Sequence, residues 1–236
     1  SYSVNTTAGF SIVKYKGNGT AGHTIPHHLG AVPKMIIVKR LDGVSGWHTY
    51  HASLGNTQRM SLNETDATGS DSTAWNNTTP TSSVFTVGNS GTTNVNDADT
   101  IAYCFAEKTG YSKFGSYTAN NDNGNGPFIY TGFKPNFIMI KGSTASSEYK
   151  SWCMFDTTRQ PFNLNAGKTL YANRAYQEGK RGQGTSSTTI PAIDMLSNGF
   201  KIKVNNDEVN DASNTFIYMA FGQSIVGSNN IPATAR

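Results

Sequence analysis

Charge is scarce in this chain: Asp, Glu, Lys and Arg make up only 14% of its 236 residues. The net charge is +4 and no run of Lys or Arg exceeds two, so the concentrated basic footprint of a nucleic-acid binder is missing. Long apolar runs are missing too. None approaches the roughly 20 residues of a bilayer span, and no membrane insertion is expected. Ser1-Tyr2-Ser3 is not the basic segment and apolar core of a signal peptide. Met is not the first residue, so the chain is read as trimmed or as part of something longer. There are only two cysteines, Cys104 and Cys153, each inside an expected strand. They read as buried free thiols, each packing as a small hydrophobe, although a disulfide between them stays open. No window carries the periodicity of an amphipathic helix. No nucleophile elbow, phosphate loop or nicotinamide fingerprint appears, and no cofactor is expected.

What is present is repetition. Phe10-Ser11-Ile12-Val13-Lys14-Tyr15 and Gly30-Ala31-Val32-Pro33-Lys34-Met35-Ile36-Ile37-Val38-Lys39 in the first half answer to Phe114-Gly115-Ser116-Tyr117 and Gly132-Phe133-Lys134-Pro135-Asn136-Phe137-Ile138-Met139-Ile140-Lys141 in the second. Trp47 and Tyr50 answer to Trp152 and Phe155, and Val95-Asn96-Asp97-Ala98 reappears as Val209-Asn210-Asp211-Ala212. A period of roughly a hundred residues is too long for a solenoid unit and describes a duplicated β module. The repeats run over about 9–107 and 114–223, followed by a tail at 224–236. They are expected to form one integrated region spanning 1–236. Matched positions should hold the fold, and unmatched ones are free to differ in function.

Short β-branched and aromatic runs between turn clusters predict strands near 10–15, 34–40, 47–51, 58–62, 84–87 and 100–107 in the first half. The second half gives 114–117, 127–131, 136–141, 151–156, 168–172, 193–196, 200–204 and 215–222. Gly17-Asn18-Gly19, Asp42-Gly43 and Ser197-Asn198-Gly199 supply turn chemistry. Trp47 to Phe85 is ten residues shorter than Trp152 to Phe200, and the extra length is placed at Asn173–Thr189, a loop that differs between the halves.

Candidate chemistry is sparse. The histidines are His23, His27, His28, His48 and His51, with no carboxylate or cysteine motif beside them, so no metal site is expected. Asp122-Asn123-Gly124-Asn125-Gly126 lacks the ligand pattern of a calcium loop and reads as a turn. Asp97-Ala98-Asp99 and Asp207-Glu208 sit in corresponding neighbourhoods, which favours structural turns over a glycosidase acid pair. Matched Trp47 and Trp152 read as core. Trp75, unmatched in a polar loop, either stacks on a ligand or folds back over the sandwich end. Tyr176, Lys180 and Arg181 fall in the loop that differs between the halves, where they suit an anionic polysaccharide. The candidate ligand-binding set is therefore Trp75, Tyr176, Lys180 and Arg181, with no catalytic residue.

Several phrases together resemble a domain of virion proteins from marine tailed phages, cyanophages especially. They are Gly9-Phe10-Ser11-Ile12-Val13-Lys14-Tyr15, Ile25-Pro26-His27-His28-Leu29-Gly30, Ile101-Ala102-Tyr103-Cys104-Phe105-Ala106-Glu107, Gly110-Tyr111-Ser112-Lys113-Phe114-Gly115-Ser116-Tyr117 and Asn230-Ile231-Pro232-Ala233-Thr234-Ala235-Arg236. His28 stands where that pattern has a small residue, often Gly. The resemblance implies an all-β fold, an antiparallel two-sheet, jelly-roll or lectin-like β-sandwich. It also implies a non-enzymatic tail-fibre or appendage module at the phage particle surface, assembled in the host cytoplasm. Its expected partners are other virion proteins, further copies of itself (a trimer in a fibre) and a host surface glycan. The alternatives are a capsid-decorating or head-fibre protein and a polysaccharide-degrading virion enzyme.

Overall fold

A computed structural model describes residues 1–144, 147, 149–159, 168–178 and 192–222. Among them lie seventeen strands and one short helix. In chain order the first half holds β1 (Tyr2–Asn5), β2 (Phe10–Lys16), β3 (His23–Pro26), β4 (Pro33–Arg40), β5 (Trp47–His51), β6 (Gln58–Ser61), β7 (Gly69–Ser70), α1 (Ser72–Trp75), β8 (Val84–Val87) and β9 (Asp99–Ala106). The second half holds β10 (Ser112–Thr118), β11 (Phe128–Tyr130), β12 (Pro135–Gly142), β13 (Cys153–Asp156), β14 (Leu170–Tyr171), β15 (Ile193–Leu196), β16 (Gly199–Ile202) and β17 (Thr215–Gly222).

Internal contacts divide the chain into two compact units, residues 1–64 with 68–108 and residues 65–67 with 109–236. Each unit nearly coincides with one repeat. The first unit has a large sheet ordered β1-β2-β9-β4-β5-β6-β7 and a small pair β3-β8. The second has a large sheet ordered β10-β17-β12-β13-β14 and a small sheet β11-β16-β15. Every ladder is antiparallel. The run β2-β9-β4-β5-β6 therefore has the same order as β10-β17-β12-β13-β14, and β3-β8 corresponds to β11-β16. The irregularity in register recurs as well, between Pro33 and Met35 in one unit and Pro135 and Phe137 in the other. Pro has no N–H for the ladder, so each wide strand opens at its proline.

Each unit is a two-sheet sandwich because alternate side chains of both sheets meet in one core. In the first, Val13, Ile36, Val38, Ala102 and Cys104 of the large sheet pack with Ile25, Phe85 and Val87 of the small one. In the second, Ile138, Ile140, Cys153, Phe155 and Phe216 pack with Ile129, Ile193, Phe200 and Ile202. Cys104 and Cys153 are buried, one in each core, and neither is in a disulfide, which closes that alternative.

Hydrogen bonds fix the correspondence residue by residue. Tyr15 Oη donates to the Thr93 carbonyl at 2.6 Å, and Tyr117 Oη donates to the Val209 carbonyl at 2.7 Å. Asn94 Oδ1 accepts from Asn18 N at 2.9 Å while its Nδ2 donates to the carbonyls of Gly88 and Thr20. Asn210 does the same with Asn120 N, Val204 and Asp122. Both amides sit in the interior, where such loop groups go unpaired without them. Asn94 is thus the counterpart of Asn210. The sequence match of Val95-Asn96-Asp97-Ala98 with Val209-Asn210-Asp211-Ala212 is corrected by two residues. Left-handed backbone at Asp97 (φ 57°) and Ser213 (φ 60°) agrees with the corrected register.

Candidate functional site

The residues singled out in the sequence do not share a surface. Trp75 closes α1, whose N-cap is Asp71; that carboxylate accepts from Thr73 N and Ala74 N and pairs with Arg59 at 2.8 Å. The indole is only 2% exposed and meets Tyr50 edge-on with ring centroids 5.8 Å apart. It belongs to the first core and offers no face to a ligand, which corrects its reading as a stacking residue. Of the two roles open in the sequence, folding back over the sandwich is the one adopted. Tyr176 is half-buried against the second core, edge-on to Tyr171 at 5.6 Å, with the Arg174 guanidinium 5.7 Å from its ring centre. Lys180 and Arg181 lie outside the described residues.

The tryptophan pair keeps its place but not its environment. Trp47 N donates to Asn63 Oδ1 at 2.8 Å and Trp152 N to Asn173 Oδ1 at 3.0 Å, so the two occupy one position. Trp152 is buried, whereas Trp47 is half-exposed and lies parallel to Tyr103, outside the core assigned to it. These pairs also locate the extra length of the second half. Trp47 and Asn63 are 16 positions apart and Trp152 and Asn173 are 21. Half of the ten added residues therefore precede Asn173, and the loop beginning there holds only the other half.

The histidines are structural. His27 Nδ1 accepts from Leu29 N at 3.2 Å, which leaves Nε2–H to donate to the Thr81 carbonyl at 3.1 Å. Burial lowers its pKa, keeping it neutral. Its counterpart is Thr131, whose Oγ1 likewise accepts from the backbone N two residues on, at Phe133. His28 follows with φ at 61°, and Gly132 occupies the same place with φ at 84°. This corrects the sequence match of Gly30 with Gly132 by two residues, because the first unit has two more residues between this turn and Pro33 than the second has before Pro135. The left-handed backbone explains why a small residue, often glycine, suits this position. Here the imidazole lies outside, stacked on Tyr2 with ring centroids 3.7 Å apart. His23 is spent on Asn94. His48 is buried on β5 and pushed down to about 4, chiefly by desolvation and then by Arg59. No group of three or more His, Cys, Asp or Glu among the described residues is placed to hold a metal.

Buried charge also serves the framework. Lys141 donates to the carbonyls of Thr65 (3.1 Å), Asp66 (2.8 Å) and Gly142 (2.8 Å), and burial brings its pKa down to about 8. Its counterpart Lys39 likewise donates to the carbonyl of the next residue, Arg40, at 2.7 Å. Lys150 donates to the Asp207 carbonyl at 2.6 Å and to Asp211 Oδ2 at 2.7 Å and sits over the Phe216 ring. Asp211, in the loop between β16 and β17, is thus tied by an ion pair to the segment that precedes β13, in line with a structural reading of that acidic neighbourhood.

What sequence reasoning missed is on the small sheets. β3 exposes Thr24 and Pro26; the corresponding β11 exposes Phe128 and Tyr130, 48% and 65% accessible. The signal was present in Phe128-Ile129-Tyr130, an aromatic alternation around a single inward Ile.

A family model described as "Domain of unknown function (DUF7483)" matches residues 1–224. No curated protein and no solved structure matches the chain.

Proposed function

We propose that this chain, which belongs to the DUF7483 family, is a non-enzymatic binding module of a virion surface, a tail-fibre or appendage domain that contacts a host envelope glycan. One observation carries the reading: the two units keep a common internal framework yet present different side chains to solvent. The Tyr15/Tyr117 and Asn94/Asn210 bonds recur, whereas Thr24 and Pro26 face out where Phe128 and Tyr130 do in the second unit. A duplicated scaffold that preserves its interior and varies its exterior suits recognition, since exposed positions are free of packing constraints. The resemblance to marine phage virion proteins supplies the setting. Several copies on one particle raise the effective concentration, so each site needs only weak affinity.

Particles labelled with an antibody against this chain test the setting. Label at tail tips or fibres, in a handful or two of copies, is expected. Hundreds of copies over the head assign the chain to capsid decoration instead, and unlabelled particles overturn the virion reading. Release of reducing ends from host envelope glycan in proportion to added protein overturns the non-enzymatic reading.

A further inference from the structure

The geometry points to the outer face of the small sheet β11-β16-β15 as a binding platform for an uncharged pyranose glycan, with Phe128 and Tyr130 as its stacking residues. This deepens the proposed function and rests on it.

Ile129, Phe200, Ile202, Ile193 and Met195 all turn into the core. Strand alternation therefore sends Phe128, Tyr130, Gly199, Lys201, Asp194 and Leu196 to the opposite face. Cross-strand pairing sets Phe128 against Lys201 and Tyr130 against Gly199, with Leu196 beyond Gly199. Residues two apart on a strand are about 6.8 Å apart, so the two rings form one contiguous surface that a single ligand spans. Gly199 is buried, and Phe128 Cζ lies 3.1 Å from the place its Cβ would take, so the Phe128 ring leans across the central strand. A Cβ there would stand 2.1 Å from the Ile129 carbonyl oxygen, so the backbone permits no side chain at that point. The result is an aromatic shelf along β11 that extends over Gly199 of the central strand.

Three considerations select the occupant. The rings are not required by the fold, because the first unit builds the same strand with Thr24 and Pro26 outward. Of the flanking charges, Lys203 pairs with Asp194 at 3.4 Å, while Lys201 donates to the neutral Asn125 Oδ1 at 2.9 Å and leaves the rim one positive charge. One ammonium in excess, engaged by a neutral amide, builds no anion cradle and repels a cation, while the amide and carboxylate oxygens and ammonium donors of the rim suit hydroxyl groups. A pyranose ring has an apolar C–H face for an aromatic ring and hydroxyls at its edge, which is the complement of this shelf.

The full chain would be titrated by calorimetry with neutral gluco-, manno- and galacto-oligosaccharides of four to six sugars. Sulfated and uronic-acid oligosaccharides form the anionic arm. A neutral oligosaccharide is expected to bind, and Phe128→Thr with Tyr130→Thr should weaken it at least tenfold with the thermal unfolding midpoint held. Binding by the anionic arm alone, neutral binding indifferent to the double substitution, or no neutral binding at millimolar ligand overturns the platform. So does loss of self-association in the double variant without glycan binding, which marks a contact between copies. Host-cell adsorption by the wild-type chain is measured alongside. Adsorption that survives the double substitution leaves the receptor-binding reading standing and removes the platform; absence of adsorption by the wild type removes the receptor-binding reading itself.

Discussion

Acid should weaken the first unit through one buried imidazole. His48 sits on β5 opposite Val38 and Ser61, and its Nδ1 has no hydrogen-bond partner among the described residues. Desolvation first, and Arg59 second, bring its pKa from 6.5 to about 4, against an opposing pull from Asp71. A base whose folded pKa is depressed stays neutral in the native state while the unfolded chain takes up a proton. Its contribution is intact above pH 6.5 and is lost as pH falls toward 4. At about 1.4 kcal/mol per pKa unit, the loss from pH 7 to pH 4.5 comes to about 2.5 kcal/mol. His27, also depressed, adds to the loss in the same direction. Asp71 and Asp156 have lowered pKa values and act at lower pH, because a depressed carboxylate loses its contribution only below its unfolded pKa. The duplication supplies the control, since Cys153 holds the corresponding place on β13. In reducing buffer, His48→Cys should unfold in urea with a pH dependence shallower than wild type by about that amount. Tryptophan fluorescence suits the measurement, because Trp47 and Trp75 both lie in the first unit. Equal pH dependence in the two proteins refutes the account of His48.

Trp75→Ala should destabilise the first unit by about 3–5 kcal/mol, the range for truncating a fully buried large aromatic, read from the same urea transition. A loss below 1 kcal/mol would return Trp75 to the surface. Neither Cys104, whose thiol burial pushes up to about 12, nor Cys153 should react with an aromatic disulfide reagent at pH 8 until denaturant is added. Prompt native-state reaction of either contradicts the cores described. Tyr117→Phe should cost about 1 kcal/mol or somewhat more, because it leaves the Val209 carbonyl without its Oη donor in a buried setting.

Most of the fold was legible in the residues. Every strand expected from alternation and apolar runs is present within a few residues, and the repeat anticipated the shared sheet order. The omissions have physical causes. β1 is exposed along its whole length and has no inward face to betray it. β3 ends in Pro26, which reads as a breaker, yet at the edge of a two-stranded sheet its missing N–H costs no ladder bond. α1 spans only Ser72–Trp75, less than any periodicity can register. The two-residue slip at Asn94 arose because identity was matched letter by letter, whereas the corresponding bonds fall on Asn94 and Asn210 within unlike neighbours. For the surface, a polar sequence context suggested exposure of Trp75. A helix cap and a core vacancy beside Tyr50 decide otherwise, and neither is written in composition. Phe128 and Tyr130 passed as ordinary strand aromatics because their outward direction depends on which face Ile129 takes.

Thermal unfolding of two full-length variants tests directly whether paired positions hold the fold and unpaired ones do not. Asn210→Ala strips a buried side chain from backbone groups at Asn120, Asp122 and Val204. It should cost about 3 kcal/mol and lower the midpoint of the second unit by roughly 10 °C. The double substitution Phe128→Thr with Tyr130→Thr, at exposed positions where the first unit carries other residues, should leave that midpoint within about 3 °C of wild type. A midpoint that falls with the double substitution as far as with Asn210→Ala, or holds with Asn210→Ala, contradicts the division of this protein into a shared interior and a divergent binding exterior.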